Sequence, residues 1–237
     1  MSEPLFTGYC EVMSADHYLA RGSLPRPSRR FLPSELSGLN INPQSIECVS
    51  QDWKWNLIRC TSRTCTSGGP RKHFRWSEIC VAVDGASGGN GNRYPDASVG
   101  VFVGIDSPHN VSQFLGVCTN QQAELQAAIV ALEQVLEILK REDRDFIKVV
   151  IKNDSAYLCN AMTGWIFSWE RNGYKDITTG RKPIKNADHF RELERLTQEV
   201  EQIGVKVLFW HVRREHNFVA DMLANFAQDD IEDEDEI

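Results

Sequence analysis

The feature that most constrains the fold is a change of hydrophobic period near residue 121. Before it, three short apolar runs, EICVAVD (78–84), SVGVFVG (98–104) and VSQFLGVC (111–118), read as strands. In the first, Ile79, Val81 and Val83 alternate with Cys80 and Ala82, so that both faces are apolar, as in a strand covered on both sides. After it, Leu125, Ala128, Ile129, Leu132, Val135, Leu136 and Leu139 recur at three- and four-residue steps, one apolar face of a helix over 121–139.

The pattern then repeats in smaller units. FIKVVIK (146–152) predicts a strand, and Ser155 can cap a following helix, because its oxygen can accept from free first-turn amides. A polar, glycine-containing stretch at 171–185 separates this helix from another at 187–202. VKVLFWH (205–211) predicts the last strand and 218–227 the last helix. The order βββαβααβα implies an α/β domain with a mixed sheet over residues 76–228. Ahead of it, residues 1–46 read as an irregular arm or linker, with four prolines among Ser, Gly and Arg in the segment from Gly22 to Pro43. Residues 47–75, with Trp53, Trp55, Leu57, Ile58 and a Gly-Gly-Pro turn at 68–70, read as a small hairpin-like extension that packs on the domain.

The net charge of −7 is local. Seven acids between Asp229 and Glu236 account for all of it, leaving residues 1–228 neutral. Like charges at that density predict an extended, solvated tail over 229–237, with competition against nucleic acid as a sharper role. Seven scattered cysteines fit a reducing compartment better than a disulfide framework. No apolar window reaches membrane-span length, and the start of the chain lacks a signal-peptide core and carries Glu3, Glu11 and Asp16 against a mitochondrial presequence. The expectation is an intracellular protein, nuclear or cytoplasmic, with no membrane partner.

Asp84, Glu124 and Asp154 fall at strand ends or a helix start, and Asp221 lies in the first turn of the last helix, positions that can converge at one sheet edge. Mg²⁺ is a small, hard cation that takes carboxylate and water oxygens, and four acids facing one pocket suit two ions. A pair of such ions serves phosphodiester hydrolysis, one side activating water and the other stabilising the leaving oxygen. Any one of these acids alone reads as a solvated or capping residue.

The segments VAVDGASGGNGN around Asp84, CTNQQAELQAAIVALE around Glu124, IKNDSAYL around Asp154 and EHNFVADMLANFA around Asp221 resemble, in order, the type 1 ribonuclease H family. The likeness is to a fungal-like or retroelement-like variant with a short histidine loop. It implies the RNase H-like fold, a five-stranded mixed sheet flanked by helices, and an endonuclease that cuts the RNA strand of an RNA/DNA hybrid, leaving 5′-phosphate and 3′-hydroxyl ends. It further implies that Asp84, Glu124, Asp154 and Asp221 are the catalytic acids and hold two Mg²⁺ ions, replaceable by Mn²⁺. Thr119, Asn120 and Gln121 match residues that touch the DNA-strand phosphate and the minor groove, although Thr119 or Asn120 also suits a helix N-cap. MTGWIFSWERNGYKDITTGRKPIKNADHF resembles the family's basic protrusion. There Trp165 and Trp169 face the DNA strand, Lys175, Arg181, Lys182 and Lys185 approach phosphates, and Asn186 matches a phosphate-pocket residue. The alternative for two tryptophans four apart is the core. Glu170 stands where the family usually has lysine.

The loop RREHNFVAD is shorter than the family's histidine-bearing loop. Asn217 is the residue that aligns, in a substrate-binding position, and His216 beside it is the candidate proton carrier. His211 reads as a structural strand residue sharing a face with Val205, Val207 and Phe209. Cys48, Cys60, Cys65 and His73 lack the close paired spacing of zinc folds, so free cysteines are expected. The rival function on the same fold is a non-catalytic nucleic-acid-binding or scaffold module. The chain is expected to act as a monomer, and nothing in the sequence identifies a protein partner.

Overall fold

A computed structural model of the protein describes residues 28–33, 45–59, 74–88, 96–141, 146–176, 180 and 182–232. Its centre is one mixed sheet. Strand β3 (Phe74–Ser87) pairs antiparallel with β4 (Asp96–Phe102), which pairs antiparallel with β5 (Val111–Val117). On its other edge β3 runs parallel to β6 (Lys148–Asn153), which runs parallel to β7 (Lys206–His211). These are the five strands expected from the sequence. A hairpin, β1 (Glu47–Val49) and β2 (Asn56–Arg59), extends the same sheet by pairing β2 with the first part of β3, which makes seven strands.

The helices follow the apolar periodicity. Helix α1 (Asn120–Arg141) opens on a capping box: Thr119 Oγ1 accepts from the Gln122 amide at 3.3 Å, and Gln122 Oε1 accepts from the Thr119 amide at 3.0 Å. After β6, Ser155 caps α2 (Ala156–Asn160) by accepting from the Leu158 amide at 3.3 Å, as its sequence position suggests. A π-helical turn (Ala161–Trp165) continues into α3 (Ile166–Asn172), which ends at left-handed Gly173. Helices α4 (Ala187–Gln202) and α5 (Phe218–Glu232) complete the chain order. No helix among the described residues is long and apolar enough to cross a membrane.

Two apolar layers sandwich the sheet. Ile79, Val81 and Val83 of β3, with Val149 and Ile151 of β6, pack against Leu125, Leu132 and Val135 of α1 and Phe190 and Leu193 of α4. On the opposite face Cys80, Val150, Leu208 and Trp210 pack with Phe31, Ile46 and Ile58. Alternation of side chains along each strand sends neighbours to opposite layers, which is why these strands are apolar throughout. At the far end Gly100 of β4 lets α5 lie close. A β-carbon there would stand 2.1 Å from the Ala220 carbonyl oxygen and 2.5 Å from the Ala224 nitrogen.

Two expectations change. Helix α5 runs to Glu232, into the acidic stretch expected to be extended from 229; residues 233–237 lie outside the described set. Part of the supposed arm is built into the fold: Arg30 bridges to Phe209 beside β7, with the Phe31 amide donating to the Phe209 carbonyl at 2.9 Å and the Phe209 amide to the Arg29 carbonyl at 2.7 Å. The open edge of β7 is thereby paired, which removes a template for aggregation. Of the possible zinc ligands, Cys60, Cys65 and His73 lie outside the described residues, and Cys48 places its Sγ 3.5 Å from the Leu57 carbonyl.

Arg29 anchors this strap. Only 7% exposed, it bonds both oxygens of buried Glu194 on α4 and reaches Glu201 with Nε at 3.2 Å and Nη2 at 2.9 Å. Removing one partner of a buried pair strands the other charge. Arg29→Ala should therefore destabilise the protein by about 3–5 kcal/mol in urea unfolding, while Arg29→Met with Glu194→Leu should come much closer to wild type. Equal losses in both variants would contradict the pairing argument.

Candidate active site

Parallel pairing of β3 and β6 in the register Ala82↔Lys152 sends both strands out at the same end of the sheet, where Asp84 and Asp154 each follow two residues later. Carboxyl ends of parallel strands are the usual place for an α/β ligand site. Glu124 comes to the same point from α1. The approach depends on Gly85, where a β-carbon would sit 2.2 Å from the Glu124 nitrogen and 2.3 Å from the Ala123 carbonyl carbon. No other residue leaves that space.

The result is one oxygen each from Asp84, Glu124 and Asp154 within 4.8 Å of one another. Burial first, then the charge of hydrogen-bonded Asp154 and that of Asp221, push the Asp84 carboxyl up to about 8, against a smaller pull from Arg214. Burial and the charges of Asp84 and Asp154 push Glu124 up to about 8 as well. Glu124 Oε2 is enclosed and has no hydrogen-bond partner among the described residues. Such a set is short of positive charge, and its oxygens suit a hard divalent cation.

Asp221 stands beside this trio rather than within it. It sits in the first turn of α5, half-buried, where Arg214 Nη2 bonds its Oδ1 and Asn225 Nδ2 reaches its Oδ2 at 3.3 Å. Arg214 was not singled out by the sequence, yet its charge acts on all four acids. The only available signal was its place in the loop leading to α5.

Asn217 differs most from expectation. It is 1% exposed, and its Nδ2 donates to the Val83 carbonyl at 2.9 Å and lies 3.4 Å from Asp154 Oδ1, so its amide ties the two acid-bearing strands instead of facing substrate. His216, in the turn Arg214–His216, is not in the carboxylate set. It lines a cavity of about 190 Å³ with Glu47, Asn56, Lys152 and Asn217, and its Nδ1 is enclosed without a partner among the described residues. His211, expected to be structural, is exposed, and its Nε2 lies 3.2 Å from the Asp154 carbonyl oxygen. It is the last residue of β7, where the buried run has ended.

Some of the residues expected to contact nucleic acid are neighbours. Thr119 is committed to the α1 cap, Asn120 is exposed, and Gln121 Oε1 accepts from Lys185 Nζ at 2.7 Å. Asn186, in a left-handed conformation at φ 58°, places Nδ2 3.5 Å from the Tyr157 hydroxyl. Lys175 and Lys182 are exposed, and Arg181 lies outside the described residues. Trp165 is 44% exposed with its ring 5.7 Å from that of Trp169, which itself lies 4.9 Å from buried Phe190. Trp165 is on the surface, and half-buried Trp169 packs between it and the core.

Residues 77–228 match the RNase H family. Ribonuclease H1 of Homo sapiens is 36% identical over 160 residues, 65% of this chain and 51% of that protein. Ribonuclease H of Ruegeria pomeroyi is 35% identical over 153 residues, 62% of this chain and 90% of that protein. The chain spans about half the length of the mammalian relatives it matches. Among solved structures, the foamy viral protease-reverse transcriptase in complex with RNA/DNA hybrid has the same fold at a TM-score of 0.52 and 19% identity, covering 70% of this chain and 22% of that one. Because the family match takes in Asp84, Glu124, Asp154 and Asp221 together with the five central strands that position them, the chain belongs to the RNase H family.

Proposed function

We propose that the protein is a ribonuclease H that hydrolyses the RNA strand of RNA/DNA hybrids. The observation that carries this reading is the convergence of one oxygen each from Asp84, Glu124 and Asp154 within 4.8 Å, with a Glu124 oxygen enclosed and unpartnered among the described residues. The relatives named Ribonuclease H support it. The donor set fits two Mg²⁺ ions, with Mn²⁺ as a substitute, held by Asp84, Glu124, Asp154 and, from α5, Asp221. Bound there, such a pair would supply an activated water and charge neutralisation at the leaving oxygen.

The protein's own groups do the remaining work. Asn217 holds Asp154 against β3 through its side-chain amide. Arg214 restrains Asp221 and tempers the negative charge at the site. The edge formed by Asn120, Gln121, Lys185 and Trp165 offers amides, a cation and an aromatic face, the chemistry that reads 2′-hydroxyls and grips a backbone. Asn186 stands at its margin. His216 remains a candidate proton carrier only by way of loop movement, because it faces the hairpin cavity.

Purified protein in Mg²⁺ should cleave hybrid and leave double-stranded RNA and double-stranded DNA intact. Asp154→Asn should lose activity on the order of 100-fold or more, the scale on which one group stabilising transition-state charge is felt. Hybrid binding without cleavage by wild type would favour the scaffold reading instead.

Protonation gives an independent check. Asp84 and Glu124, raised to about 8, bind more protons in the metal-free folded state than when unfolded, so their contribution to stability falls as pH rises from the usual carboxylate range through 8. Mg²⁺ must displace those protons, and its affinity should rise over the same window. The Mg²⁺-induced increase in Tm should be larger at pH 8.5 than at pH 6.0, with proton release in calorimetry at pH 7. Equal Tm increments at both pH values would contradict this protonation scheme.

Gly85→Ala should separate β3 from α1 and weaken Mg²⁺ binding measured by calorimetry, since its new β-carbon meets backbone rather than a movable side chain.

A further inference from the structure

The strap that covers the edge of β7 also reaches the surface tryptophan. Arg30 Nη2 donates to Asn160 Oδ1 at 2.7 Å and to Thr163 Oγ1 at 3.0 Å. Asn160 is the last residue of α2, and Thr163 is the middle residue of the π-helical turn, where its hydroxyl donates to the Cys159 carbonyl at 2.7 Å. Trp165 is the last residue of that turn. Wide turns of this kind are uncommon inside helices and occur often at functional sites. Here the turn sets the rotation at which α3 leaves α2, and with it the direction of Trp165.

Arg29 reaches the following helix, α3. Its guanidinium lies 5.5 Å from the centre of the Phe167 ring. Its partner Glu194 accepts from Gln198 Nε2 at 2.8 Å, and that same nitrogen donates to Glu170 Oε1 at 2.8 Å. Residues 160, 163, 167 and 170 are thus all tied to two consecutive arginines, and Trp165 and Trp169 lie among them. Neither arginine is in the carboxylate site, and both precede the residues that match the family.

We propose that Arg30, backed by Arg29, is a positioning residue for nucleic-acid binding: by fixing the π-helical turn it holds Trp165 in the orientation that meets the substrate strand. This rests on the reading of Trp165 as substrate-facing. Arg30 acts through Trp165, so losing both residues costs no more than losing Trp165 alone. The strap affects binding and leaves the carboxylates where they are.

The test uses the full chain, with steady-state cleavage of a fluorescent RNA/DNA hybrid in Mg²⁺ and anisotropy of the same hybrid in Ca²⁺. Arg30→Ala should raise KM and the anisotropy Kd by about 5- to 10-fold with kcat within about twofold, the signature of lost binding shared by ground and transition states. Thr163→Val, which removes an acceptor at nearly constant volume, should shift KM in the same direction, and Arg30→Lys should recover part of the loss. Trp165→Ala should match Arg30→Ala, and the double variant should be no worse than Trp165→Ala. Additive losses would place Arg30 directly on the nucleic acid and overturn the proposal, as would an unchanged KM in both Arg30→Ala and Thr163→Val. Should wild type cleave no hybrid, the ribonuclease reading fails, and the anisotropy series still decides the role of Arg30.

Discussion

Holding three carboxylates within 4.8 Å, with Asp84 only 4% exposed, is unfavourable until a cation or protons arrive, and much of the architecture resists their separation. In a partly desolvated site like charges repel more strongly than in water, and each acid also gives up hydration. The scaffold meets that cost by taking two acids from the ends of adjacent hydrogen-bonded strands and the third from a helix pressed against one of them. Moving Asp84 from Asp154 would break the β3–β6 ladder, and moving Glu124 away would open the contact at Gly85. A strained, charge-rich site persists when its surroundings over-determine it.

The fourth acid is supported in another way. Asp221 belongs to the first turn of α5, where free amides and the helix dipole favour negative charge. Gly100 lets the backbone of that helix approach β4, and Ser112 Oγ bonds the Leu223 carbonyl at 2.6 Å. Arg214 then holds the Asp221 side chain. Position and charge are thus set by separate devices, the glycine contact for the helix and the guanidinium for the side chain.

The sequence showed the strands and acids clearly because each rests on a local pattern. Alternation in 78–84, three- and four-residue steps in 121–139, and carboxylates at their boundaries need no knowledge of what packs where. Long-range pairings left no such trace. Arg29 and Glu194 are 165 residues apart, and Asn217 bonds Val83 across 134 residues. Nothing near Arg29 distinguishes a buried arginine from those of a proline-rich linker. Asn217 shows the same limit: its place in the chain just before the last helix is legible, but the amide contact to Val83 that buries it is not.

The N-terminal elements are accordingly better understood as part of the folding unit than as additions to it. Without Phe31, Ile46 and Ile58, the face formed by Cys80, Val150, Leu208 and Trp210 would meet water. Glu194 would lose the guanidinium that balances it inside the protein, and Lys152, 7% exposed, would lose both contacts to Glu47 at 2.8 Å. A chain trimmed to the family match at 77–228 would therefore expose an apolar patch and strand two buried charges on opposite sides of one sheet. The same trimming would release the π-helical turn from Arg30. Stability of the back face and orientation of the binding face thus depend on one short stretch of chain, because β7, α4 and α3 all meet residues 29–31.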